Sequence, residues 1–339
     1  MKAIVYRDNG GPDVLRLVDR DLPAPGPGEV RVRVAVSGVN PADAQARAGV
    51  AHTRTSPEVT PHHDGAGTVD AVGEGVPPSR TGERVWMFLA AAGRPTGTAA
   101  EYAVVPADRA VPLPADVSLE AGAALGVPAL TAHRALTVSE DGPARLRPGA
   151  LKDRVVLAAG GAGAVGHAVI QLARWAGATV IATVSGPAKG RLATAAGAHH
   201  VVDYRAGDPA ARIRAVAPDG VDLVAEVALG ANLPLDLAVL RSRGTIATYA
   251  NQGGTPVDLN VGQNMVLNTR LQFLVLYTAG PQARAAAVED VTVALRDGAL
   301  PVGAEHGLPL HRFPLARAVD AHRALEAGTV GKILLTVSP

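Results

Sequence analysis

Between Val30 and Val36 the chain alternates, placing Val30, Val32, Val34 and Val36 on one face and Arg31 and Arg33 on the other. A period of two is that of a β-strand with one buried face. Further strand-like segments at 67–72, 84–88 and 100–105 are separated by Pro/Gly/Asp-rich turns at 23–28, 76–82 and 112–116. The first 125 or so residues therefore predict a small β domain with one short helix near 41–48. Past Gly126 the pattern changes. Segments 155–159, 179–184, 200–202, 221–225 and 245–248 are short and mostly apolar on both faces, and the stretches between them, 164–176, 188–196, 209–216 and 233–240, have helix-forming composition. Strands buried on both faces and joined by helices make a parallel, doubly wound sheet. Another such strand follows at 271–277, then helices near 282–296 and 315–326 and a last strand at 332–337. The expected class is α/β, a β-rich domain plus a doubly wound parallel-sheet domain.

Composition narrows the chemistry. At 339 residues and 47% hydrophobic content, the chain is long and apolar enough for two cores. With 32 Lys+Arg against 31 Asp+Glu it has no cationic excess for a phosphate backbone or an anionic bilayer, so neither nucleic acid nor membrane is an expected partner. The absence of cysteine removes disulfides, thiolate nucleophiles, iron–sulfur clusters and Cys-based zinc sites. Charge within residues 1–8 argues against a secretory signal, and no apolar run reaches 18 residues, so a cytoplasmic enzyme is expected.

The segment 154–159 runs directly into Gly160-Gly161-Ala162-Gly163-Ala164-Val165-Gly166 and then into a helix-like stretch. Gly161, Gly163 and Gly166 satisfy G-x-G-x-x-G in its strand–turn–helix setting, where glycines let the backbone approach a pyrophosphate and the helix N-terminus supplies N–H donors. A purely structural glycine turn is the competing account. About twenty residues on, a carboxylate would hold the ribose 2′-hydroxyl of NAD. Here the chain reads Val184-Ser185-Gly186-Pro187-Ala188-Lys189-Gly190-Arg191, with no carboxylate, a hydroxyl and two cations. That favours NADP; alternatively Lys189 and Arg191 are a solvated first helical turn. Tyr204 follows the third strand, where a ring meets the same phosphate or the adenine.

Several motifs in order carry a family pattern: Gly10-Gly11-Pro12-Asp13-Val14-Leu15, Pro25-Gly26-Pro27-Gly28-Glu29-Val30, Gly38-Val39-Asn40-Pro41-Ala42-Asp43, Asp64-Gly65-Ala66-Gly67-Thr68-Val69, Gly82-Glu83-Arg84-Val85, Ala123-Ala124-Leu125-Gly126-Val127-Pro128-Ala129-Leu130-Thr131-Ala132, the glycine loop and Gly331-Lys332. With these the chain resembles, almost end to end, the zeta-crystallin-like NADPH:quinone oxidoreductases, a zinc-free branch of the medium-chain dehydrogenase/reductase superfamily. The resemblance implies a GroES-like domain of residues 1–126 and 279–339, with a Rossmann NADPH-binding domain, 127–278, inserted. It also implies hydride transfer from NADPH to a quinone or a similar electron-poor enone or carbonyl, and a homodimer extending the Rossmann sheets edge to edge. Carried onto matching positions, Asn40 and Thr131 flank the nicotinamide, and Gly161, Ala162, Gly163, Ala164 and Val165 the pyrophosphate. Ser185, Lys189 and Tyr204 hold the 2′-phosphate end. Tyr249, Ala250, Asn251 and Gln252 with Leu274, Val275 and Leu276 line the rest of the trough. The apolar strand 271–277 suits a dimer edge or an ordinary interior strand.

Zinc-dependent relatives place ligands where this chain has Asn40, His63 and Val127. One histidine does not make a catalytic zinc site, so no metal is expected. His63 is then a pocket-edge donor or a surface residue, the surface role being expected. Near 51 and 59 relatives tend to carry aromatic rings that this chain lacks, leaving Gln45 and His52 as polar candidates for contact with a substrate. Asn40, Gln45 and Thr131 are candidate donors to a developing oxyanion, and His63 the candidate proton donor. The alternatives are an enoyl-thioester or 2-alkenal reductase of the same superfamily, or a non-catalytic NADPH-binding, crystallin-like or RNA-associated protein.

Overall fold

The computed structural model describes residues 1–50, 56–254 and 256–337, which divide into two compact units, Met1–Val127 with Leu310–Pro339, and Pro128–Pro309. The first is built on the eleven-residue strand Glu29–Val39, which pairs antiparallel with Asp64–Val72, Tyr102–Pro106 and Lys332–Thr336. The valine alternation explains its placement. Val30, Val32 and Val34 are fully buried with Val69, Val85, Met87 and Val105 in one core, and on the opposite face Arg31 grips Asp70 through two bonds of 2.9 Å. Arg84–Met87 and Ala110–Pro112 extend the sheet on one side and Leu310–Pro314 on the other.

The C-terminal tail closes a second core. Ile333, Leu335, Leu315, Ala318 and Ala321 pack on Ile4, Tyr6, Leu15 and Val39, so this unit contains both ends of the chain. Beneath the helix Ala318–Glu326 lies a buried polar chain. Thr98 donates its hydroxyl to the carbonyl of Asp64 at 2.5 Å, and so accepts from Ser37 at 2.8 Å. Ser37, its proton used, accepts from Nδ1 of His62 at 2.9 Å. Nε2 of His62 then accepts from Nε2 of His322 at 2.9 Å. Each hydrogen is therefore assigned by its neighbour, and both imidazoles are neutral.

Burial, reinforced by His322, His63 and Lys332, holds His62 well below 6.5, and burial with Arg47 nearby brings His322 to about 3. Because both folded values lie below 6.5, their stabilisation is complete above that pH and is lost as pH falls toward the folded values. The slope approaches about 1.4 kcal/mol per pH unit for each imidazole that must charge. Urea midpoints are expected to fall between about pH 7 and 4.5, less steeply in His322→Gln. Identical slopes in the two proteins would exclude the pair as the cause.

The second unit is a six-stranded parallel sheet in the order His200–Asp203, Thr179–Val184, Val155–Ala159, Val221–Glu226, Leu240–Thr248, Arg270–Phe273. The chain starts in the middle, works to one edge, then returns and works to the other, which is the Rossmann order. Leu157, Ile181, Val224, Val239 and Ile246 form its apolar centre.

Two expectations change here. Residues 279–309, assigned above to the β-rich domain, belong to this unit, because Asp290 on the helix Pro281–Arg296 accepts from His133 at 2.8 Å, Arg145 at 2.9 Å and the Leu146 N–H at 2.7 Å. The strand expected at 271–277 ends at Phe273 and gives way to a 3-10 turn at Leu276–Thr278; it forms an edge of the sheet, not its interior. The pairing of Lys2–Val5 with Arg16–Asp19 and the long helix Leu119–Leu136 had no clear periodic signal. Among the described residues no helix is long and apolar enough to cross a membrane.

Candidate active site

In the second unit the candidate cofactor residues follow the carboxyl ends of successive parallel strands, where open α/β sheets bind ligands. The glycine loop joins Val155–Ala159 to the helix Ala164–Trp175. Gly160 has φ +66°, and a Cβ on Gly166 would stand 2.4 Å from the Gly160 carbonyl oxygen, so the turn itself requires both. A Cβ on Gly161 would crowd Ala182 at 2.8 Å. Gly163 differs: its nearest neighbour would lie at an ordinary 3.5 Å, so the protein leaves room beside the helix N-terminus. Gly163 caps that helix without a side chain, and the first-turn N–H groups have no acceptor within the helix. Room, donors and the positive end of the helix dipole together fit a pyrophosphate.

Past the second strand, Lys189 on the helix Pro187–Ala195 donates to the Ser185 hydroxyl at 2.9 Å, whereas Arg191 is exposed. The Tyr204 N–H donates to the Val184 carbonyl at 3.1 Å, which brings the end of the third strand beside Ser185. Arg205 stands over the half-exposed Tyr204 ring, 6.0 Å from its centre. It was missed in the sequence, where its only signal is adjacency to Tyr204. Ser185 with Lys189, and Tyr204 with Arg205, thus follow the ends of two adjacent strands and bring hydroxyls and cations suited to a phosphate.

Tyr249, Ala250, Asn251 and Gln252 follow the fifth strand; Asn251 accepts at 2.9 Å from the N–H of Gly230 in the first turn of the helix Leu229–Val239, and the Gln252 N–H donates to the Val227 carbonyl at 3.0 Å, tying that loop to the segment after the fourth strand. Beneath them Glu226 takes the Asn232 amide at 2.9 Å, and burial raises the carboxyls of both Glu226 and Asp236. Leu274 and Leu276 are buried and Val275 is exposed after the edge strand. Thr131 is buried on the helix Leu119–Leu136.

The first unit gathers the polar candidates differently. Asn40 precedes the helix Pro41–Ala48 and donates its backbone N–H to Asp43 at 2.7 Å. Its side-chain Nδ2 donates to Asp64 Oδ2 at 2.7 Å, and its Oδ1 accepts from Lys332 Nζ at 2.7 Å. Asp64 also takes the Val127 N–H at 2.8 Å, and Lys332 stands 3.4 Å from its Oδ2. Both charged residues are buried, at 0% and 2% exposure. Burial raises the Asp64 carboxyl, opposed by Lys332, Asn40 and Val127; with three donors directed at it, it is the acceptor. Burial and the neighbouring Asp64 push Asp43 up to about 8. His63 is buried, with Nε2 3.9 Å from Oδ1 of Asp43 on the helix Pro41–Ala48, so the surface role expected for it is wrong. Gln45 is exposed on its helix, and His52 lies outside the described residues.

The helix Leu119–Leu136 is broken at Gly126, with φ −5° and ψ −107°, and Pro128 follows. The break frees the Val127 N–H for Asp64. A Cβ on Gly126 would stand 2.0 Å from Asp64 Oδ1, and one on Gly38 would stand 2.2 Å from the Ala123 carbonyl oxygen and 3.2 Å from Lys332 Cε.

Residues 26–115 match the alcohol dehydrogenase GroES-like domain and 164–292 the zinc-binding dehydrogenase model. Quinone oxidoreductase of Rattus norvegicus is 31% identical over 99% of this chain and 97% of its own. The chain belongs to the quinone oxidoreductase family. It is an oxidoreductase of the medium-chain dehydrogenase/reductase superfamily, with the GroES-like and Rossmann domains of that group. It is also 30% identical to a 2-haloacrylate reductase of a Burkholderia species, over 99% of this chain and 98% of that one. Two solved structures resemble it closely. An NAD-dependent alcohol dehydrogenase has a TM-score of 0.88 at 28% identity, covering all of both chains. The Escherichia coli quinone oxidoreductase complexed with NADPH has a TM-score of 0.82 at 26% identity, covering 99% of this chain and 100% of that one.

The family's zinc-binding members raise the question of a metal, and the residues here do not fit one. Both polar ends of Asn40 are held by the ion pair, the Val127 side chain has no atom able to ligate a metal, and the Lys332 ammonium 2.7 Å from Asn40 Oδ1 would repel a dication. Among the described residues no three His, Cys, Asp or Glu are grouped to hold a metal.

Gly126→Ala is expected to dislodge the Asp64 carboxylate and to lower stability by about 1–3 kcal/mol. Chemical denaturation would measure it, and an unchanged midpoint would show that the site absorbs the methyl group.

Proposed function

We propose that this quinone oxidoreductase homologue is an NADPH-dependent reductase that delivers a hydride to a quinone or a similar electron-poor alkene or carbonyl without a metal. The observation that carries the cofactor choice is the Lys189–Ser185 bond at the end of the second strand, where NAD enzymes place a carboxylate. The NADPH complex of the Escherichia coli relative supports it; the likeness to an NAD-dependent alcohol dehydrogenase makes the choice worth measuring. In this reading Gly161–Val165 bind the pyrophosphate, Ser185, Lys189, Tyr204 and Arg205 the 2′-phosphate, and Tyr249–Gln252 with Leu274–Leu276 the remainder. Bound NADPH supplies the hydride. Asn40 and Thr131 orient the nicotinamide, and an Asn40 N–H stabilises the negative charge that grows on the acceptor oxygen. The hydroquinone anion left after hydride addition takes its proton from water, so His63 is not required as an acid. The 2-haloacrylate reductase relative supports electron-poor alkenes as a second acceptor class.

Titration of cofactor fluorescence is expected to show NADPH binding roughly tenfold or more tighter than NADH, with Lys189→Ala erasing most of the difference. Equal affinities in the unaltered protein would refute the cofactor assignment. Turnover is expected with 1,4-benzoquinone or 9,10-phenanthrenequinone, and with activated alkenes. Turnover confined to crotonyl thioesters would establish the enoyl-thioester alternative, and tight NADPH binding with no acceptor reduced would establish a non-catalytic role.

We also propose a homodimer joined at the edge strand Arg270–Phe273. Its outer edge is unpaired among the described residues, and Phe273 is 65% exposed. Nearby in sequence, Met265 at 72% and Val266 at 79% expose more apolar surface than a lone chain is expected to carry in one stretch. Sedimentation is expected to give a dimer for the unaltered chain and a monomer for Phe273→Glu. A monomeric unaltered chain would end the proposal.

A further inference from the structure

Three distances around Asn40 close a small ring: 2.7 Å from Lys332 Nζ to Oδ1, 2.7 Å from Nδ2 to Asp64 Oδ2, and 3.4 Å from Lys332 Nζ to that same Oδ2. An ammonium only donates and a carboxylate only accepts, so the two ends of the amide are assigned chemically. Rotating the amide by half a turn would put NH2 against NH3+ and oxygen against carboxylate. Because the ion pair bridges the edge of the amide bearing Oδ1, the N–H it uses is the one on the oxygen side. The second N–H, on the Cβ side, carries no hydrogen bond among the described residues, although Asn40 is only 3% exposed. A buried donor left in this state costs free energy that a ligand oxygen would restore.

We infer that Lys332 and Asp64 are positioning residues: they fix the Asn40 amide so that its remaining N–H is presented to the oxygen that gains charge during hydride transfer. The inference rests on the proposed place of Asn40 at the reacting centre. Lys332 is 2% exposed and its ammonium is spent on Asn40 and Asp64, so in this inference it acts through Asn40, and since the charge of the pair sums to zero its contribution is orientation. Gly38 and Gly126 are part of the same device. A side chain at either would push against Lys332 or Asp64 and tilt the amide.

The test is a double-mutant cycle on the full chain with 9,10-phenanthrenequinone as acceptor. Lys332→Met is expected to lower kcat roughly tenfold or more while NADPH affinity stays within about twofold. In an Asn40→Ala background the same change should cost less than about twofold, since nothing remains to be positioned. Lys332→Arg should recover part of the loss. A readout free of turnover is the absorbance of bound 4-nitrophenol in the NADP+ complex: the oriented N–H favours the phenolate, and both Lys332→Met and Asn40→Ala should shift its titration upward, non-additively. Should Lys332→Met misfold because Asp64 is left alone, the paired change Asp64→Asn with Lys332→Met removes both charges and is expected to show the same kcat loss. Full additivity of the two changes, or an unaltered kcat in Lys332→Met, would overturn the inference. An unaltered kcat in Asn40→Ala would instead overturn the placement of Asn40, a result distinguishable from the first.

Discussion

A buried lysine–aspartate pair organises the first unit. Lys332 comes from the last strand, Asp64 from the strand that follows the unit's first helix, and the two meet across the central strand at Gly38. Removing two charges from water is costly, and their attraction recovers that cost only when every remaining polar valence is satisfied. Here the satisfaction comes from particular neighbours, the Asn40 side chain and the Val127 N–H. The break in the long helix at Gly126 supplies that N–H, so a departure from regular helix at one place is the condition for a charge at another. The crowded glycines follow from the same requirement.

The second unit solves a different problem with simpler means. Its ligand site needs donors that carry no charge of their own, and helix termini at the carboxyl ends of parallel strands provide them wherever the strand order places a loop. In the proposed site, what distinguishes this chain from an NAD enzyme is carried by a few side chains, Ser185 and Lys189 with Tyr204 and Arg205, and not by the architecture. In the first unit, likewise, the Asn40 amide is held by an ion pair supplied by two neighbouring strands, on a sheet whose pairing does not depend on it.

Much of this was legible from the order of residues, for definite reasons. The valine alternation of 30–36 marks a strand because side-chain direction alternates, and the glycine loop is recognisable because close packing and ligand approach both forbid a Cβ. The edge position of Arg270–Phe273 was not legible, because an apolar strand reads alike at an edge and in an interior. The helix Pro281–Arg296 was assigned to the wrong domain since its pattern states that it buries a face, not against what; Asp290 and its partners decide that. His63 was misjudged because a histidine suits water and interior equally well. The Lys332–Asp64–Asn40 ring had no local signature at all: its members are far apart in the chain and obey no common period.

Ile333 sits opposite Val39, so the strand on which the first unit is founded gains a neighbour from about 290 residues later in the sequence. During synthesis the Rossmann strands all emerge before that neighbour exists. The nucleotide-binding unit is therefore able to assemble on the ribosome while the β-rich unit still lacks the ammonium that balances Asp64. Until Lys332 emerges, the carboxylate lacks the counter-charge that favours its burial, and the central strand lacks one of its pairing partners. Emergence of Lys332 is thereby coupled to formation of the proposed reacting centre, and a product truncated before this strand would retain the elements of a nucleotide site without the ammonium that holds the Asn40 amide.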